Sequence, residues 1–411
     1  MLPTLAELID QTRALIVERG EVVVLYLSFG QFGKLEDVYG WEKLDAVLNT
    51  ACDAVAECLR DQQAGAGGHP VRAAVAYPND EDVICLDIPP AGISPTRVAR
   101  ASADVTQLVT QLQAAVSRRV EAAHGEKIAA LVDVFAGRAH VTVAPKSRLE
   151  RLIYRGVREA AAAARSVAQR ERARQIAELR AVLRERAVYI DYHPIVAADS
   201  GAVFGYEALA RGGVRSLRNP EVMFATAAES NLLWELSRLC RAKAFEGMRT
   251  RLAPHQLLFI NVDPHDFADP EFAGEPSLAD PPSGTAPDDP RRVVIEITER
   301  TAIKDYPALR ELLQAFRTRG YRFAVDDAGS GYAGLGSIAN LEPDFIKLDI
   351  SLITGIDTNP IKQNLVETMV RFANDQNARV IAEGVERAEE FDTVRRLGVH
   401  LVQGFFVNGG T

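Results

Sequence analysis

Phe323-Ala-Val-Asp-Asp-Ala-Gly-Ser-Gly-Tyr332 is the stretch that decides the reading of this chain. An apolar run, Phe323 to Val325, delivers two adjacent carboxylates, Asp326 and Asp327, into a turn holding Gly329 and Gly331, as a β-strand does when it ends in a charged loop. Two neighbouring strand-end carboxylates are costly to desolvate together unless a cation neutralises them, so a divalent metal is their natural partner. Taken alone, the same letters also describe a solvated turn with Asp at its start. The rest of the chain decides between the two.

Beyond Val188, short apolar runs end repeatedly in a carboxylate, an amide or a lysine. Ala202 to Tyr206 precede Glu207, Leu257 to Ile260 precede Asn261, and Val293 to Ile295 precede Glu296. Phe345 and Ile346 precede Lys347, Val380 to Ala382 precede Glu383, and Val399 to Val402 precede Gln403. Helical stretches separate these runs. Strands alternating with helices define an α/β fold, and polar groups gathered at strand ends predict a TIM-type (β/α)8 barrel with its active site at that rim. Glu207, Asn261, Glu296 and Asp326 offer oxygen donors that suit Mg2+ or Mn2+. The Asp326/Asp327 pair can bridge the first cation and a second about 3.5 to 4 Å from it, an arrangement that serves phosphodiester hydrolysis. Lys347 adds a fixed positive charge near the attacking water or the phosphate, and Glu383 can orient the Lys or a water.

Before Val188 the pattern differs. Glu21 to Phe29 is a strand dense enough in branched and aromatic residues to be buried on both faces. Trp41 to Leu59 places Leu44, Leu48, Cys52, Val55 and Leu59 at helical spacing, and Val71 to Ala76 with Val83 to Ile88 read as a hairpin across Pro78 to Asp82. Further helix, a strand at His140 to Ala144 and a helix from Ser147 complete an α+β unit. Val157 to Arg186, rich in Ala, Arg and Glu without Gly or Pro, reads as one long helix with a sparse stripe of Val167, Ile176, Leu179 and Leu183. The expected division is 1–160, a linker helix at 161–187, and the barrel at 188–411.

A net charge of −9 argues against a nucleic-acid surface, and Cys52, Cys58, Cys85 and Cys240 show no metal-ligand spacing. Neither a signal peptide nor a membrane span fits the N-terminal pattern, so a cytoplasmic protein is expected.

Two resemblances follow from these residues. Phe32-Gly-Lys-Leu-Glu-Asp-Val-Tyr-Gly40 and Tyr77-Pro-Asn-Asp-Glu-Asp82 are similar to segments of the diguanylate cyclase (GGDEF) domain, with the turn glycines replaced by Pro78 and Asn79 and Gly30 where that family carries a metal-binding Asp. The resemblance implies a degenerate regulatory or dimerising relative that makes no cyclic di-GMP. Tyr206-Glu-Ala-Leu-Ala-Arg211, Phe259-Ile-Asn-Val262, Glu296-Ile-Thr-Glu299, Asp326-Asp-Ala-Gly-Ser-Gly-Tyr332, Ile346-Lys-Leu-Asp349, Ala382-Glu-Gly-Val-Glu386 and Gln403-Gly-Phe405 resemble, in order, the motifs of the EAL family of cyclic di-GMP phosphodiesterases.

That resemblance implies metal-dependent conversion of cyclic di-GMP to linear pGpG by a homodimer. It makes Glu207, Asn261, Glu296, Asp326 and Asp327 metal ligands, and Lys347 with Glu383 the water-positioning pair. Arg211 would contact a substrate phosphate, Leu209 would lie beside it, Gln403 would close the site, and Glu299 would brace the loop after Asp327. His193 stands where the family usually has a substrate-contacting Gln, and Ala328 stands where it has Phe. A receptor that binds cyclic di-GMP without turnover is the second reading, and an enolase-like barrel enzyme a remote third.

Overall fold

The computed structural model describes residues 4–30, 35, 39–64, 71–76, 82–88, 98–144, 147–263, 266, 269, 289–298, 306–329, 341–404 and 406. The chain divides into two units, Met1–Ala177 and Glu178–Thr411.

In the first unit, α1 (Leu5–Arg19) starts at Thr4, whose hydroxyl accepts from the Glu7 N–H while the Glu7 carboxylate accepts from the Thr4 N–H at 2.7 Å. It stops at Gly20, whose φ of +75° favours a residue without a side chain. Next come β1 (Glu21–Gly30), α2 (Trp41–Ala64), β2 (Val71–Ala76), β3 (Asp82–Asp87), α3 (Val98–His124), α4 (Glu126–Ala129), β4 (Asp133–Thr142) and α5 (Leu149–Glu185). The strands form one antiparallel sheet in the order β2-β3-β1-β4. β1 is central, which agrees with the burial of Val22, Val24, Leu25, Tyr26, Leu27 and Phe29 on both its faces. The hairpin of β2 and β3 is present, while its turn at 77–81, and residues 31–34 and 36–38 of the segment before α2, lie outside the described residues.

α5 begins earlier than the composition of its centre announces. Leu149, Leu152, Ile153, Val157, Ala160 and Ala164 recur at three and four residues and pack in the same core cluster as Val24 and Val141. Gly137 permits this approach, because a Cβ there would collide with the Ala160 carbonyl. Val167 is 39% exposed, and nearer the helix end Leu179 and Val182 join Val188, Leu217, Met223 and Leu236 in a core cluster of the second unit.

The second unit contains β5 (Val188–Ala197), β6 (Val203–Gly212), α6 (Pro220–Glu229), α7 (Leu233–Arg251), β7 (Leu257–Val262), β8 (Val293–Thr298), α8 (Tyr306–Thr318) and β9 (Arg322–Ala328). β10 (Phe345–Leu348), α9 (Ile350–Ile353), α10 (Pro360–Asp375), β11 (Arg379–Ala382), α11 (Ala388–Arg396) and β12 (Leu401–Val402) follow. The eight strands close into a barrel in the order β10-β11-β12-β5-β6-β7-β8-β9. Its departure from an all-parallel (β/α)8 barrel is β5, antiparallel to both β6 and β12. The reason is local: β5 and β6 are joined by a tight turn, with the Ala197 N–H on the Ala202 carbonyl at 2.9 Å and Gly201 at φ +69°, and a turn that short makes only an antiparallel pair. Among the described residues no helix is long and apolar enough to cross a membrane.

Candidate active site

Strand alternation builds the site. Ile195, Phe259, Val294, Ala324, Phe345, Ile381 and Leu401, from seven strands, form one buried cluster that fills the barrel, with Phe259 and Phe345 packed edge to face at 5.2 Å. Side chains two residues apart share a face, so the next inward position on each strand carries the polar group. These are His193 on β5, Glu207 on β6, Asn261 on β7, Glu296 on β8, Asp326 on β9, Lys347 on β10, Glu383 just past β11 and Gln403 just past β12. The apolar layer is the floor and the polar layer stands at the mouth.

Asp327 should face away from Asp326, since neighbours on a strand point to opposite faces. A bulge changes this. Val325 pairs with Ile346 and Ala328 with Leu348, so two residues of β9, Asp326 and Asp327, oppose Lys347 alone. Asp327 takes the left-handed conformation at φ +56°, and its N–H is held by Asp326 Oδ1 at 2.9 Å. Both Asp carboxylates then converge with Glu383, one oxygen from each lying within 4.8 Å of the others.

The Lys347 ammonium sits among four carboxylates, at 2.7 Å from Glu383, 2.8 Å from Glu296, 3.1 Å from Asp326 and 3.6 Å from Glu207. Lys347 and Glu296 are fully buried, and the Glu296 oxygens have no well-aligned hydrogen bond despite the short ion pair. Burial pushes the Glu383 carboxyl up to about 8 against the pull of Lys347, and burial likewise drives Glu296 well above the ordinary carboxylate range. At Glu207 burial opposes ionisation, but Lys347 and hydrogen bonds from Gln403 Nε2 at 2.6 Å and Asn261 Nδ2 at 3.0 Å outweigh it, and the carboxyl falls to about 2. The acids thus outnumber the ammonium beside them, and two of them resist ionising.

At the rim, the Arg211 Nε donates to Asp191 Oδ2 at 3.0 Å. Arg211, Leu209 and Glu207 share one face of β6, and His193 lies directly opposite Glu207 on the antiparallel pair. Glu299 lies outside the described residues. Asp191 escaped the sequence reading, although it precedes His193 by two residues on the same inward row; the period of two was the available signal.

A closed barrel with a carboxylate–lysine cluster at the C-terminal ends of its parallel strands is an α/β barrel with its candidate site at the rim where barrels of this kind carry theirs. The chain belongs to the EAL domain family, whose model matches residues 176–409. It is 26% identical over 231 residues to the probable cyclic di-GMP phosphodiesterase PdeB of Escherichia coli K12, covering 55% of this chain and 43% of that protein. It is 29% identical over 234 residues to a cyclic di-GMP phosphodiesterase of Pseudomonas aeruginosa, covering 54% of this chain and 38% of the relative. The chain therefore spans less than half the length of these curated relatives. Among solved structures, the PaMucR phosphodiesterase in complex with c-di-GMP is similar at 25% identity and a TM-score of 0.51, over 57% of this chain and 96% of that one.

Proposed function

We propose that the barrel unit hydrolyses cyclic di-GMP to linear pGpG. The observation that carries this reading is the ring of inward polar groups on successive strands, Glu207 through Gln403, set over one apolar floor. The donor set fits hard divalent cations. Asp326, Asp327 and Glu383 bring oxygens within 4.8 Å of one another, and Glu383 and Glu296 resist ionisation without further positive charge. Glu207, Asn261, Glu296, Asp326 and Asp327 would hold Mg2+ or Mn2+. When bound, such ions supply an acidified water and charge stabilisation at the leaving oxygen.

The protein's own groups do the remaining work. Asn261 and Gln403 fix both oxygens of Glu207 in one orientation. Lys347 and Glu383, in contact at 2.7 Å, hold the attacking water, and Glu383 takes its proton as the water oxygen joins phosphorus and the bond to the 3′-oxygen breaks, that oxygen taking a proton from solvent to become the 3′-hydroxyl of pGpG. Arg211, whose Nε donates to Asp191 and Nη1 to the Ala210 carbonyl, binds a substrate phosphate through its remaining N–H groups, while Leu209 and His193 contact the nucleotide.

The first unit is on our reading a degenerate relative of the diguanylate cyclase domain, a likeness of fold that its strand order β2-β3-β1-β4 with a β2–β3 hairpin supports, and on the same reading it regulates the barrel and makes no cyclic di-GMP. The working form is a cytoplasmic homodimer. Incubating the protein with Mg2+ or Mn2+ and cyclic di-GMP is the test, with pGpG expected from the wild type and none from Glu207→Ala. Tight binding without product, unchanged in Glu207→Ala, would instead make the chain a receptor.

A further inference from the structure

Glu390 lies in the first turn of α11 and is 2% exposed. Its Oε2 accepts the Glu386 and Arg387 N–H groups, each at 3.2 Å, as a helix cap does. A cap needs nothing more. Yet Oε1, which also accepts from Arg387 Nε at 3.3 Å and Nη2 at 3.1 Å, accepts the N–H of Gly355 at 2.8 Å, thirty-five residues earlier in the chain, and that donor belongs to no turn of α11. Burial opposes its ionisation, but the backbone hydrogen bonds from Gly355 and Glu386 together with the Arg387 guanidinium outweigh it and keep the Glu390 carboxyl below its usual range.

The two segments joined in this way both lead from the site. Residues 383–387 begin with Glu383; Gly355 closes the segment that leaves β10 after Lys347. They meet again where Gly384, at φ +65°, lies against Ile350 so closely that any Cβ would collide with it, and where the Glu383 N–H donates to the Leu348 carbonyl at 3.2 Å. Arg387 adds an exposed pair with Asp357 at 2.5 Å. We infer that Glu390 is a positioning residue that couples the turn carrying Glu383 to the segment following Lys347, and so keeps those two side chains in contact. The activity consequence rests on the proposed hydrolysis; the coupling itself does not.

Glu390→Gln separates the two duties, because a side-chain amide has one acceptor oxygen and turns its NH2 group toward donors on the other side. With cyclic di-GMP as substrate, kcat is expected to fall about 10- to 100-fold while KM stays within about two-fold and the protein remains folded at the assay temperature, its melting temperature lower by several degrees. Asp357→Asn, which removes the Arg387–Asp357 pair and leaves both the Gly355 bond and the Arg387–Glu390 pair, is expected to keep kcat within about two-fold. A kcat for Glu390→Gln within two-fold of wild type, or an equal loss in Asp357→Asn, would overturn the assignment. Amide exchange gives the readout that needs no turnover. Faster exchange in both 348–357 and 383–387 of Glu390→Gln is expected, and faster exchange in 383–387 alone would reduce Glu390 to a cap. A wild type that forms no pGpG would end the hydrolytic reading and leave the exchange result to decide the coupling.

Discussion

Replacing Lys347 with methionine removes an ammonium that lies between 2.7 and 3.6 Å from Glu383, Glu296, Asp326 and Glu207. The side chain is fully buried, so no water replaces it at once, and removing one partner from a buried ion pair costs about 3–5 kcal/mol. Each kcal/mol moves the melting temperature of a domain of roughly 150–250 residues by about 2–4 °C. The barrel transition of Lys347→Met should therefore fall by about 6–20 °C at pH 8 in chelator. A divalent cation at a hundred times its dissociation constant returns about 2.7 kcal/mol, so Mg2+ or Mn2+ should raise the variant's transition by several degrees. The pH direction follows from Glu383, whose carboxyl is raised in the folded protein from 4.5 to about 8, chiefly by burial. A raised folded value contributes stability that is complete below about pH 4.5 and lost as pH climbs through about 8. Loss of the ammonium deepens that loss, so the gap between variant and wild type should be wider at pH 8 than at pH 5, where Glu207, held at about 2 in the wild type against burial and chiefly by Lys347, still loses its partner. Calorimetric scans at the two pH values, with chelator and with Mn2+, measure all three effects. A gap under about 2 °C at pH 8 in chelator would refute the view that Lys347 neutralises this cluster.

His400 accepts the Val380 N–H at Nδ1 with 3.0 Å, and burial, then Arg379, push its imidazole below the ordinary value. A lowered folded value means stability present above about pH 6.5 and lost as pH falls below it, so His400→Gln should flatten the acid-side decline in melting temperature; an unchanged slope would contradict the role. Gly384→Ala forces a side chain into a left-handed position against Ile350 and should cost about 1–3 kcal/mol. Ile350→Ala in the same chain should recover the steric part alone, and a denaturant-melting cycle of the single and double variants measures it.

The strand ends were legible because each apolar run stops at a polar group, and an alternating pattern places that group on the same face as the buried residue two before it. Phe345 and Lys347, or Val294 and Glu296, show this without coordinates. The direction of β5 was not legible in the same way, since a strand's letters read alike in either sense and only the tight turn at Gly201 fixes it. The convergence of Asp326 and Asp327 was assumed from their chemistry, but ordinary alternation forbids it; the two-against-one register opposite Lys347 supplies it. Asp191 and Glu390 were invisible for another reason. Each looks like an ordinary surface acid, on a strand or in the first turn of a helix, and its partner is remote in sequence: Arg211 for the one, Gly355 for the other.

Ala328 gives this argument its sharpest form. From the sequence, an alanine in place of a bulky ring loosens whatever the end of β9 supports, and residues 330–340, where that loosening would be felt, lie outside the described residues. Within the described residues the strand end is fastened by other means. Ala328 is fully buried in one core cluster with Leu341 and Leu352, pairs with Leu348, and accepts the Asp349 N–H at 3.1 Å. Gly329, at φ +99°, then lets Leu352 close over the backbone where any Cβ would collide. The bulge that turns both Asp carboxylates inward is thus clamped to the strand of Lys347 by main-chain bonds on either side of it, and main-chain bonds do not depend on the bulk of residue 328. Its geometry at the cluster follows from the backbone register of β9 and β10, while the size of residue 328 acts on its packing against Leu341 and Leu352.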